Sequence, residues 1–135
     1  MWIVTATAVL IGITGCRTPP NDLLLTSVVS PDGDYRATVI QRTYRNTFRS
    51  GDTYVLVRKG RSAYNYPAGA DFPDAQIALA MPQCGPLKLE WRDNLTLQVT
   101  CDKCGRFLKD ADQHVDKLGD VQILYSGFAG NGTSP

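Results

Sequence analysis

Cys101-Asp102-Lys103-Cys104 is the spacing in this chain that most invites a chemical reading, with Cys84 upstream and the only histidine, His114, downstream. Two thiols so spaced can form a redox pair whose thiolate is stabilised at a helix N-terminus. With Cys84 and His114 they also supply sulfur and imidazole ligands for a structural zinc ion. A structural disulfide is the third option. The surroundings decide among them. A redox motif opens a helix after a strand of a βαβ unit, whereas this one follows a strand of an antiparallel hairpin. Zinc ribbons use paired knuckles, and Cys84 has no near partner. His114 stands among Asp110, Asp112 and Asp116, as a base with a carboxylate orienter would. On a helix, however, Asp110 and His114 are ordinary exposed i,i+4 neighbours. No Gly-x-Ser-x-Gly, His-Glu-x-x-His or P-loop pattern occurs. The expectation is a protein that is not an enzyme and uses no cofactor or metal. A zinc-binding or hydrolytic domain on Cys84, Cys101, Cys104 and His114 is an alternative.

The elements that would position the cysteines are strands. Leu87, Leu89 and Trp91 alternate with Lys88 and Glu90, and Arg92-Asp93-Asn94 turns the chain. Leu95, Leu97, Val99 and Cys101 then alternate with Thr96, Gln98 and Thr100, which completes a hairpin. A three-residue turn with Asn94 in the left-handed region sets Trp91 opposite Leu95, Leu89 opposite Leu97, and Leu87 opposite Val99. Cys84 then falls opposite Asp102, where Cys104 can meet it if the chain stays extended. If the chain turns instead, Cys101 and Cys104 are close enough to bridge each other. The pairing expected is Cys84–Cys104, with Cys101 a small buried hydrophobe. A Cys101–Cys104 bond closes too short a loop to constrain much of the unfolded chain.

Elsewhere Ser30-Pro31-Asp32-Gly33-Asp34 is a turn leading into the strand Tyr35 to Ile40. Thr53 to Arg58 is a second β-branched run, residues 62–73 read as loop, and Ile77 to Met81 is a short strand or one helical turn. Leu108, Ala111, Val115 and Leu118 have helical spacing, and Val121 to Tyr125 makes a last strand. The fold class is therefore mainly β: a small antiparallel sandwich or barrel, or an α+β sheet with one short helix.

Formal net charge is +1, so no overall field draws the chain to nucleic acid. Charge is uneven all the same. Arg36, Arg42, Arg45, Arg49, Arg58, Lys59 and Arg61 share a stretch in which Asp52 is the only acid. Tyr44 and Phe48 interleave with Arg45 and Arg49 in a polar loop, a candidate surface for an anionic envelope component or protein face. A solvated pair of strands is the plainer account of those charges.

The N-terminal segment differs from the rest. Ile3 to Ile13 is apolar apart from threonines and one glycine, too short to span a bilayer and suited to a signal peptide. It ends in Ile13-Thr14-Gly15-Cys16, which resembles the lipobox of bacterial lipoproteins. The resemblance implies that Cys16 is acylated and becomes the mature N-terminus, since small Thr14 and Gly15 fit the peptidase cleft. Two or more acyl chains anchor stably where one would be marginal. One departure stands: no Lys or Arg precedes the apolar run. Arg17 follows Cys16, where an Asp would resemble the inner-membrane retention signal, so in a Gram-negative host the outer membrane facing the periplasm is implied. In that oxidising compartment disulfides are the default for close thiols. The expected organisation is signal peptide 1–15, lipidated N-terminus and tether 16–29, β-rich domain 30–125 and a disordered tail 126–135.

The order of the Ser-Pro-Asp-Gly turn, polar loop, Val-Leu-Val strand, Glu-Trp hairpin and Val-Gln-Ile-Leu-Tyr ending resembles small uncharacterised bacterial lipoproteins. That likeness implies fold and location, and no activity. Ser50-Gly51-Asp52-Thr53-Tyr54 also resembles the Ser-Gly-x-x-Tyr motif of periplasmic lysozyme-inhibitor lipoproteins. Tyr54 to Gly60 approaches their second motif, with Arg58 where threonine belongs. The function expected is a membrane-anchored envelope lipoprotein with a binding or structural role; inhibition of lysozyme-type peptidoglycan hydrolases is an alternative.

Overall fold

Strands make up nearly all the regular structure in the computed structural model, which describes residues 21–44, 51–67, 69–82 and 86–129. They are β1 (Asn21–Val29), β2 (Tyr35–Thr43), β3 (Asp52–Lys59), β4 (Ile77–Pro82), β5 (Leu87–Asp93), β6 (Thr96–Phe107), β7 (Gln113–His114), β8 (Lys117–Leu118) and β9 (Val121–Ala129). One sheet has the order β1-β2-β3-β4-β7 and the other β5-β6-β9-β8. The first is antiparallel throughout. In the second, β6 and β9 run parallel while the outer pairs are antiparallel.

A parallel pair needs a crossover, and here the crossover stitches the sheets together. After β6 the chain adds β7 beside β4 in the first sheet, then β8 beside β9 in the second. Apolar side chains from both sheets meet between them: Ala37, Val39, Val55, Val57, Leu79 and Met81 from one, Leu89, Leu97, Val99, Cys101, Val121 and Ile123 from the other. Each large side chain removed from water there stabilises the fold by about 1.5–3 kcal/mol.

β2, β3 and β4 are buried on both faces. The outer face of their sheet carries a second cluster, Ile40, Leu56, Phe72, Ile77 and Ala80, with Tyr54, Tyr64 and Tyr66 packed on it. That explains the unbroken apolar run Ile77 to Met81, which periodicity leaves ambiguous and the structure makes a strand. Within β4, Ala78 is the extra residue of a bulge, because Leu79 pairs with Val55 while Ile77 pairs with Leu56.

Several expectations need correction. The helix over Leu108 to Leu118 is absent: Leu108–Asp110 is a single 3-10 turn, followed by β7 and β8. Leu108, Ala111 and Leu118 do reach the core, but from separate elements. Open backbone groups on β4 and β9 offer this segment hydrogen bonds, and its aspartates and Gly119 are poor helix formers. The tether expected over 16–29 is a strand from Asn21 onward, and the tail expected from 126 begins as β9, which continues to Ala129. Residues 130–135 lie outside the described residues.

The hairpin keeps its predicted faces but slips by two residues. Trp91 pairs with Leu97, Leu89 with Val99 and Leu87 with Cys101. Asn94 and Leu95 form the turn, Arg92 is bulged out, and the Leu95 N–H donates to Asp93 Oδ1 at 2.9 Å. No non-glycine residue among those described has positive φ, so Asn94 is not left-handed. A two-residue turn with a bulge replaces the three-residue turn and preserves which side chains face the core, except Leu95, which the turn leaves 44 % exposed.

The disulfide is corrected too. Cys101 bonds to Cys104, with Cα atoms 5.6 Å apart, and Cys84 lies outside the described residues. An extended strand would hold positions i and i+3 about 10 Å apart on opposite faces. Between Thr100↔Ser126 and Cys104↔Phe128, β6 uses more residues than β9, and that bulge brings both sulfurs to the buried side. Opposite the bulge, Gly127 has φ +80, and a Cβ there would run into the Cys101 carbonyl. Gly60 has φ +97 and nothing near its missing Cβ. In urea unfolding, Gly60→Ala is expected to cost about 1 kcal/mol, the left-handed penalty alone. Gly127→Ala should cost at least about 2 kcal/mol, since backbone must also move.

Candidate functional site

The outer face of the five-stranded sheet holds a cluster of aromatic rings around a buried ion pair. β2 continues past Ile40 and presents Arg42 on the same face, directly opposite Asp22 of β1. Arg42 Nε donates to Asp22 Oδ1 at 2.7 Å and Nη2 to Oδ2 at 3.0 Å, a bidentate pair whose side chains are 7 % and 6 % exposed. Nη2 also donates to the Ala70 carbonyl at 2.8 Å. The Gly69 N–H and the Tyr64 hydroxyl donate to Asp22 Oδ2 at 3.3 and 3.5 Å.

The loop between β3 and β4 is thereby fastened over the sheet by its backbone as well as its rings. Arg42 lies 4.4 Å from the centroid of Phe72 and 5.5 Å from that of Tyr54. Phe72 meets Tyr54, Tyr64 and Tyr66 edge to face, with centroids 4.9, 6.1 and 5.9 Å away. The Tyr66 hydroxyl donates to Gln76 Oε1 at 2.7 Å, and Arg58 stacks over the Tyr66 ring. A short one-turn 3-10 helix, Asp74–Gln76, leads the loop back into β4.

The hydrogen bond with Asp22 holds the Arg42 guanidinium above its usual range, against burial. Burial pushes the Tyr54 phenol up to about 12, helped by neighbouring Tyr44 and Asp52. Burial also raises Tyr64. Beside this cluster opens a cleft of about 430 Å³ lined by Arg42, Tyr54, Asp71, Phe72, Asp74 and Ile77. It offers ring faces and two exposed carboxylates around a guanidinium whose charge Asp22 already offsets. Such a lining suits a ligand with apolar or hydroxylated faces better than an anion.

The described arginines of the basic stretch are drawn to separate partners. Of the basic run, Arg42 is buried in its ion pair, and Arg36 donates to the Arg61 carbonyl at 2.9 and 2.7 Å and to Ser27 Oγ at 2.8 Å. Arg58 and Arg61 reach the Ala63 and Asp32 carbonyls at 3.4 and 3.3 Å. Tyr44 donates to Asp52 Oδ2 at 3.2 Å instead of standing free in the loop. Cys16, Cys84, Arg45, Phe48 and Arg49 lie outside the described residues. Of the lysozyme-inhibitor-like motif, Asp52 and Thr53 are buried and Tyr54 belongs to the aromatic cluster.

His114 sits in β7 with its ring 5.7 Å from Tyr125. Cys101 and Cys104 are bonded to each other, so neither offers a thiolate. Among the described residues no group of three or more His, Cys, Asp and Glu side chains could hold a metal ion. Sequence reasoning missed Asp22 and the loop aromatics, because only a strand beginning before Asp22 brings that carboxylate to Arg42.

Compared with protein-family models, curated proteins and solved structures, the chain matches none.

Breaking a buried ion pair from one side leaves an uncompensated charge. Asp22→Asn is therefore expected to cost about 3 kcal/mol in denaturant unfolding, whereas the double replacement Asp22→Leu with Arg42→Met should recover only part of that loss, because the Gly69 N–H and the Ala70 carbonyl lose their partners. Tyr54 supplies a pH test. Its phenol ionises near 10 in the unfolded chain and near 12 in the fold, so unfolding releases a proton between those values. Its contribution to stability is complete below about pH 10 and is lost as pH rises toward about 12. Tyr54→Phe should flatten part of the alkaline decline in melting temperature; an unchanged decline would reject the assignment.

Proposed function

We propose that the chain is a lipid-anchored protein of the bacterial envelope whose β-sandwich serves a binding or structural role. One observation carries the reading: an apolar run ends in Ile13-Thr14-Gly15-Cys16, and a folded sandwich begins at Asn21 only a few residues later. A diacylated Cys16 would hold the domain at the membrane surface with the short Arg17 to Pro20 segment as its tether. Arg17 in the position after Cys16 favours the outer membrane of a Gram-negative cell, facing the periplasm. The aromatic cleft beside Arg42 supports a binding role for the domain. Arg45, Phe48 and Arg49, with Tyr44, remain the surface proposed for an anionic envelope component.

Cys16→Ser should abolish acylation and membrane retention while leaving the sandwich folded, as judged by fractionation and circular dichroism. Mass spectrometry of the mature N-terminus is decisive. A diacylated or triacylated Cys16 supports the anchor; an unmodified Cys16, or Met1 still present, overturns it.

A further inference from the structure

β1 carries three consecutive leucines, Leu23, Leu24 and Leu25, that are 59 %, 46 % and 47 % exposed. The other exposed large apolar side chains among the described residues are isolated: Val29, Leu95 and Leu124. Among the described residues β1 is an edge strand, and no described strand pairs with its outer side. Leu24 stands opposite Ile40 and Leu23 opposite Gln41, which turns the two side chains to opposite faces. Leu25 is the extra residue of a bulge between Leu24 and Thr26. The result is an apolar ridge running along the edge itself.

We propose that this ridge rests in the lipid surface, so that the anchored sandwich stands on the first half of β1. The proposal rests on the anchor at Cys16. Cys16 precedes Asn21 by five residues, a span of at most about 17 Å even when fully extended. The leucines follow at once, so they cannot lie far from the bilayer. A second copy adding to the same edge is the rival occupant, but the bulge interrupts the row of backbone donors and acceptors that strand addition needs. Charge agrees with lipid. Asp22, the acid beside the ridge, is paired with Arg42. Asp93, Asp116 and Asp120 line a cleft around the β5–β6 turn. That turn meets the far end of β1, where the Asp32 N–H donates to Asn94 Oδ1 at 3.0 Å. The carboxylates of the cleft thus point away from an anionic bilayer when the ridge is down.

The test uses the full chain carrying Leu24→photo-leucine, reconstituted into phosphatidylethanolamine–phosphatidylglycerol vesicles, with Leu124→photo-leucine on β9 as its counterpart. The diazirine side chain is close to leucine in shape, so both chains fold. After irradiation, lipid adducts are expected at position 24 at roughly ten-fold the level at position 124, as for a side chain seated in the acyl boundary. Acylation of Cys16 is read by mass spectrometry in the same sample. Acylated Cys16 with no adduct at position 24, or with equal labelling at both positions, overturns the ridge and leaves the anchor standing. Chain-to-chain crosslinks at position 24 overturn it in favour of a second copy. An unacylated Cys16 overturns the anchor, and the ridge proposal with it.

Discussion

The Arg42–Asp22 pair is the contact on which the outer half of the molecule depends. Asp22 lies at the start of a strand that, among the described residues, has a neighbour on one side only. Backbone ladder bonds to β2 hold that strand, but the bidentate pair fixes its starting register and takes two charges nearly out of water. The desolvation this demands is offset only if the remaining donors and acceptors are met. The Ala70 carbonyl, the Gly69 N–H and the Tyr64 hydroxyl meet them, and all come from the β3–β4 loop. Satisfying the ion pair and closing the loop over the sheet are therefore one event. The aromatic cluster and its cleft exist because the loop is held there.

Bulges join this outer layer to the inner core. At Ala78 the bulge in β4 turns its carbonyl to the Val115 N–H at 3.0 Å and the Tyr125 hydroxyl at 2.9 Å. That hydroxyl also lies 2.7 Å from the Val115 carbonyl, and its single hydrogen serves one acceptor at a time. Burial holds the Tyr125 phenol well above its usual range, so it stays a neutral donor between β9, β4 and the crossover. Along the opposite side, Trp91 Nε1 of β5 donates to the Val28 carbonyl of β1 at 3.1 Å. A tryptophan and a tyrosine thus tie the sheets at their two margins, each with an apolar body in the core and a polar tip on backbone.

Where side chains alternate, the fold was legible. The β2, β3, β5, β6 and β9 runs announced strands, and in β5 and β6 one buried face imposes the period two that marks the core side; β2 and β3 are buried on both faces, which their half-buried pattern does not show. Legibility failed where another constraint governs. Leu23 to Leu25 shows no alternation, since both faces of that edge are exposed, and β1 passed for a tether. Leu108, Ala111, Val115 and Leu118 keep helical spacing by coincidence, while the sheet edges nearby claim their backbone. Register and disulfide pairing hang on a single-residue bulge at Arg92 and a two-residue bulge between Thr100 and Cys104, and no local composition marks those. Cysteine spacing alone did admit the Cys101–Cys104 bond. Its short loop argues against it on stability alone, and the bulge geometry overrides that argument.

The same distinction explains why four arginines of the basic stretch do not form one cationic face. In sequence, Arg36, Arg42, Arg58 and Arg61 add up to one cationic field. In the fold they are drawn apart into separate tasks: Arg36 bridges β1 and the chain after β3, Arg42 is buried, Arg58 covers Tyr66, and Arg61 crosses to the β1–β2 turn. Each guanidinium supplies several planar donors, so one side chain can close several carbonyls where turns leave them open. A small β-sandwich has many such turn carbonyls and little core to spare for them. Arginine is thus used here as turn-fastening material, and what the surface offers a partner is set less by the count of cations than by the rings and carboxylates left facing outward around them.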